Sequence, residues 1–193
     1  MPIDWPTQPS QGKLQHRSGD AWIEHSHPPV YQLDTMDNGG QRLRSGVPGG
    51  DPVVFGKLSA CLEPPLFLLY VLHTPRGEGE PGRYQSTEID HAALNAFLTR
   101  FEAYLANDAR FDLWAYSPAA RATVVWDRHN TIFAYGNGAC FEATLRALGF
   151  TAGELPLLGE HMHHYRAEYD ADARAILEAF DWHRTDLRPQ DEQ

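Results

Sequence analysis

The chain has 193 residues, and with 42% hydrophobic and 22% charged residues it suits a folded domain with a buried core. Its 26 acids against 16 bases give a net charge of −10; Lys13 and Lys57 are its only lysines and no Lys/Arg cluster exists, which argues against nucleic acid and anionic membrane surfaces as partners. The longest apolar run, Pro65 to Leu72, is far shorter than the ~20 residues of a membrane helix.

The opening residues, Met1-Pro2-Ile3-Asp4-Trp5-Pro6, have neither a basic nor an apolar leader pattern. A cytoplasmic setting is expected, in which Cys61 and Cys140 stay reduced and unpaired. The scarcity of lysine beside arginine suggests a GC-rich bacterial source. Residues 1–52 are rich in Pro, Gly, Ser and polar groups, and read as an extended N-terminal arm with short strands near Ala21-Trp22-Ile23 and Val30-Tyr31-Gln32-Leu33. Residues 53–193 read as a single α+β domain.

In that domain the apolar stretch 65–73 predicts a strand buried on both faces. The acidic Gly77-Glu78-Gly79-Glu80-Pro81-Gly82 formally matches Gly-x-Gly-x-x-Gly, but its glutamates have the wrong sign for a pyrophosphate, and a solvated turn is expected. Thr87 is placed as the cap of a helix that runs to about Leu105, with Leu94, Phe97, Leu98, Phe101 and Leu105 on one face. Segments 111–116, 122–126 and 131–135 alternate as strands joined by hairpin-length connections. Asn137 caps a second helix that Gly149 ends, and Cys140 falls in its first turn, where a thiol pKa can drop. Strand candidates follow at 155–158 and 160–165, then a third helix capped by Asp170, then a loose tail from Asp186. The layer solution is an antiparallel sheet with helices on one face, related to the ferredoxin-like β-α-β-β-α-β order.

Ten histidines is a high count, and they are clustered. His25-Ser26-His27 and His161-Met162-His163 are His-x-His pairs, and on a strand residues i and i+2 share a face about 6–7 Å apart. Two such imidazoles can reach one ion at the ~2.0–2.1 Å of a zinc–nitrogen bond. The metal-ligand candidates are therefore His161 and His163, helped by His129, Asp127, or the pair His25 and His27. Asp127, Arg128 and His129 otherwise read as a solvated hairpin tip.

Residues 151–193 hold 10 acids against 4 bases. Asp170, Asp172 and Glu178, on or beside the third helix, form an acidic face suited to a basic protein partner. Two functions follow. One is a soluble acidic protein that binds a protein partner, of inhibitor, immunity or regulatory type, with no cofactor. The other is a zinc-type divalent-metal-dependent enzyme or metal-binding protein built on the His-x-His strand.

Overall fold

The computed structural model describes residues 3–5 and 12–191 of the chain. A small sheet comes first in the sequence. Strands β1 (Leu14–Ser18) and β2 (Ala21–Glu24) form a hairpin across Gly19-Asp20. Gly19 takes φ +61 at the first central position of this two-residue turn, where glycine costs least. The strands β3 (Val30–Thr35) and β4 (Gln41–Gly46) then enter the main sheet. Helix α1 (Pro52–Ser59) has Asp51 as its cap, accepting from the Val53 N–H, with Pro52 at the first helical position.

Strands β5 (Phe67–Leu72) and β6 (Gly82–Gln85) lead to α2 (His91–Arg100) and α3 (Glu102–Asn107). Next come β7 (Phe111–Ser117), β8 (Ala122–Trp126), β9 (Thr131–Tyr135) and α4 (Gly138–Ala147). The chain finishes with β10 (Thr151–Ala152), β11 (His161–His163), α5 (Asp170–Ile176) and β12 (His183–Thr185). Nine strands form one sheet in the order β10-β3-β4-β9-β8-β7-β5-β6-β12, and β11-β1-β2 form the other. The pairing is antiparallel throughout except for β10 with β3.

The α+β class and the meander at 111–135 are therefore present, with two differences from expectation. Strands β5 and β7 pair antiparallel although α2 and α3 lie between them, so the split β-α-β pairing of a ferredoxin-like order is not seen. The segment expected as an arm is structural: β3 and β4 carry Tyr31 and Leu43 into the core, while the stretch 6–11 lies outside the described residues. Its polar strand residues misled the pattern because they line the sheet's outer face.

Helix α1 packs on α2, α4 and β8, so the helices form one layer over one sheet face. Between them lie Phe55, Tyr70, Tyr104, Phe111 and Trp126, all fully buried. Burying these aromatics, with the leucines and valines around them, holds the layer to the sheet at roughly 25 cal/mol per Å² of apolar area. Asp90, rather than Thr87, caps α2, since Ile89 is held in a bridge to Leu66. Gly149 ends α4 at φ +89, with the Phe150 N–H returning to the Leu145 carbonyl.

The cysteines also differ from expectation. Cys61 and Cys140 are joined in a disulfide with Cα atoms 5.9 Å apart. The expectation of free thiols came from compartment reasoning, whereas the packing of α1 against α4 puts the two residues within bonding reach. A nucleophilic role for Cys140 is removed with it. The acidic turn is solvated at Gly77, Glu80 and Pro81 but not at Glu78, whose side chain is 1% exposed and meets Arg110, itself fully buried, at 3.2 Å. Asp108 and Asp170 pair with the same guanidinium at 3.1 and 2.6 Å. The tail is anchored as well, through an ion pair of buried Asp191 with Arg83. Among the described residues no helix is long and apolar enough to cross a membrane.

Candidate metal centre

The small sheet turns one face of imidazoles toward a hairpin tip of the large sheet. The β1–β11 register places His16 opposite His161 and Leu14 opposite His163. Directly paired residues share a face, as do residues two apart, so His16, His161 and His163 all project the same way. The partner is His129, on the turn between β8 and β9. There Asp127 does the folding: its Oδ1 accepts from the His129 and Thr131 N–H groups, and Asn130 adopts φ +57 to close the turn.

His129, His161 and His163 each offer a ligand atom, and these atoms lie within 4.8 Å of one another. Their ring centroids are 4.9 to 5.2 Å apart. A tetrahedral ion at ~2.05 Å from each nitrogen would hold the three roughly 3.3 Å apart, so closure needs only small side-chain movements. In two of the rings the other nitrogen is already committed. His129 Nδ1 faces Asp127 Oδ2 at 3.1 Å, and His161 Nδ1 faces the Gly159 carbonyl at 2.9 Å. Both rings are thus left with Nε2 for a ligand, oriented by a carboxylate and a carbonyl as metal-binding histidines usually are. His163 Nε2 is buried with no hydrogen-bond partner. Burial, then the neighbouring His129, Arg128 and His161, lowers the His163 pKa to about 3. It is a neutral donor at physiological pH, the state a metal requires.

His25 and His27 stand beside the triad, outside the 4.8 Å group. Their rings are 4.5 Å apart, and His27 Nε2 donates to the His129 carbonyl at 3.0 Å. His27 fits because position 46 is glycine: a Cβ there would lie 2.2 Å from His27 Cβ. His25 Nδ1 meets His16 Nδ1 at 3.1 Å. Sequence reasoning passed over His16, which is a lone histidine until β1 is known to pair with β11.

Of the triad, His129 also borders an opening on the large sheet's outer face. His129 and Asp127 line a cavity of about 330 Å³ whose other walls include Trp114, Val125, Phe133 and Arg42. These are the outward residues of β7, β8, β9 and β4, brought side by side by the pairs Trp114–Val125, Val125–Phe133 and Arg42–Tyr135. A second cavity shares Trp114 and Thr123 and continues across β5 and β6 to Phe67 and Arg83.

The acidic candidates are dispersed by comparison. Asp170 turns inward to Arg110 and Arg76, whose hydrogen bonds outweigh burial and lower its pKa. Asp172 is half-buried and Glu178 is exposed. The chain matches no protein-family model, no curated protein and no solved structure.

Proposed function

We propose that the protein binds a divalent transition ion, zinc or a similar borderline metal, through His129, His161 and His163. The observation that carries this reading is the division of labour within the rings. Two have one nitrogen tied to an orienting acceptor and the other left for a ligand, and the third buries a nitrogen that nothing in the protein satisfies. Three protein ligands, one of which, His129, also lines a cavity, suit a reaction centre whose fourth position would take water or substrate; a closed structural site would supply four ligands. A zinc-type ion at such a position would bring the pKa of bound water down to about 7, and the apolar floor of Trp114, Val125 and Phe133 offers a surface for an apolar part of a substrate. The reading is a metal-dependent hydrolytic protein. Docking to a basic partner through Asp170, Asp172 and Glu178 has less support, because Asp170 is already matched by two arginines.

The test is metal content and affinity in untagged protein. Wild type should retain or take up zinc at this site, and His163→Ala should lose it. Asp127→Asn should keep the ion but bind it about 10- to 100-fold more weakly, as loss of an orienting partner does. Zinc binding that is indifferent to His163 would overturn the proposal.

A further inference from the structure

The imidazoles beside the triad repeat its logic. His27 has Nε2 committed to the His129 carbonyl, which fixes the proton on Nε2 and leaves Nδ1 as a bare lone pair. That Nδ1 is buried and has no partner. His25 has Nδ1 set against His16 Nδ1 at 3.1 Å, and its Nε2 is also buried without a partner. When His25 donates from Nδ1 to His16, its Nε2 too becomes a bare lone pair. The two rings stand edge to face with centroids 4.5 Å apart.

Two buried lone pairs facing no donor are costly, because each has lost its water without gaining a partner. With the two rings in contact, one cation between them would satisfy both. Each ring already has the second-nitrogen partner that a metal-ligating histidine needs: a backbone carbonyl for His27 and the His16 ring for His25. The position is also joined to the triad. The carbonyl that orients His27 belongs to His129, and the His16 that orients His25 is the cross-strand neighbour of His161.

We infer that His25 Nε2 and His27 Nδ1 hold a second borderline divalent cation next to the first, so that the histidine face forms a two-ion centre. The inference rests on the triad reading for the first ion, but its own ligands are separate. Two imidazoles leave the second ion open positions for solvent or for a group shared with its neighbour. Paired ions of this kind clamp the attacking and leaving oxygens of an in-line displacement. This narrows the expected chemistry to hydrolysis of a substrate with two oxygens to offer, such as a phosphoester.

The experiment is a zinc titration of metal-free, untagged protein by calorimetry, with elemental analysis of the saturated sample. Wild type should take up two equivalents, His25→Ala and His27→Ala one each, and His163→Ala should lose the triad's equivalent. Wild type that stops at one equivalent, lost in His163→Ala and kept in His25→Ala, overturns the second site alone and means that solvent fills it. No uptake in wild type overturns the triad reading and this inference together. Cu(II) titration of the wild type, followed by electron paramagnetic resonance, needs no variant. A first equivalent with an isolated signal and a second that couples to it supports the pair, while two signals that merely add overturn their adjacency.

Discussion

Lys13 gives the sharpest test of how this fold is held together. It precedes β1 and sends its amine into the large sheet, 3.8 Å from the Trp126 ring centre and 4.5 Å from that of Phe111. The residue is fully buried, and Nζ makes no hydrogen bond. Burial lowers its pKa from 10.5 to about 7, against the pull of Asp127, Asp112 and Asp108, which favour the charge. The folded value lies below the unfolded one, so the folded state prefers the neutral amine. The associated stability is fully present above pH 10.5, declines as pH falls, and is gone below about pH 7. The whole interval corresponds to roughly 5 kcal/mol, and the step from pH 7 to pH 9 to roughly 2 kcal/mol, at about 1.36 kcal/mol per pKa unit. Urea unfolding at pH 7, 8 and 9 should show wild type gaining that stability as pH rises. Lys13→Met, which keeps the length and removes the charge, should be nearly flat over the range and at least as stable at pH 7. If the two proteins rise in parallel, the amine does not titrate in the folded state as described, and the account of its burial fails.

Other perturbations have equally definite outcomes. Arg110→Met leaves the Asp108 and Glu78 carboxylates buried without their cation, and should lower stability by about 3–5 kcal/mol in urea unfolding, with Arg110→Lys in between. Thiol titration of unfolded, unreduced protein should find no free groups; reduction should cost up to about 4–5 kcal/mol, the loop-entropy value for a bridge spanning 79 residues. Gly46→Ala should push His27 off the His129 carbonyl and weaken zinc binding without touching a triad ligand, which a titration of the folded variant would show.

Legibility in the sequence followed locality. The helices around Leu94 and Phe141, the meander and the His161–His163 pair were readable because each is a periodic pattern within one segment. Helix and strand ends were misplaced where a distant partner decided them, as Leu66 does for Ile89. The N-terminal strands read as an arm because residues 1–52 are rich in Pro, Gly, Ser and polar groups, and Gln41-Arg42-Leu43-Arg44 shows little apolar pattern to set against that. Their arginines lie on the sheet's outer face, where Arg42 and Arg44 share Asp34 at 3.2 and 3.1 Å. Glu78 looked solvated because Arg110, 32 residues later, is invisible to local reasoning. His129 is legible only as one of several third-ligand candidates beside Asp127 and the His25/His27 pair, and His16 not at all, since the pairing of residues 14–16 with 161–163 is a contact across most of the chain.

The same long-range contact explains why the histidines are worth attention as a group. His129 belongs to the large sheet, whereas His16, His161 and His163 belong to the small one, whose strands come from both ends of the chain. The two sheets already meet through Lys13 on Trp126 and through the Ala109 N–H donating to the His164 carbonyl. Stability alone would favour apolar side chains at the remaining contact, since an imidazole buried with an unpaired nitrogen costs more than it returns. The chain instead places six imidazoles there, and burial holds the pKa of His25 and His163 near 3, so no mutual charge drives them apart at neutral pH. Buried imidazole nitrogens without a partner, such as His163 Nε2, His25 Nε2 and His27 Nδ1, are destabilising for a protein by themselves, and that cost is what the proposed cations would offset. Local rules broken in this manner, against a core that otherwise obeys them, are the physical ground for proposing a binding site at this contact.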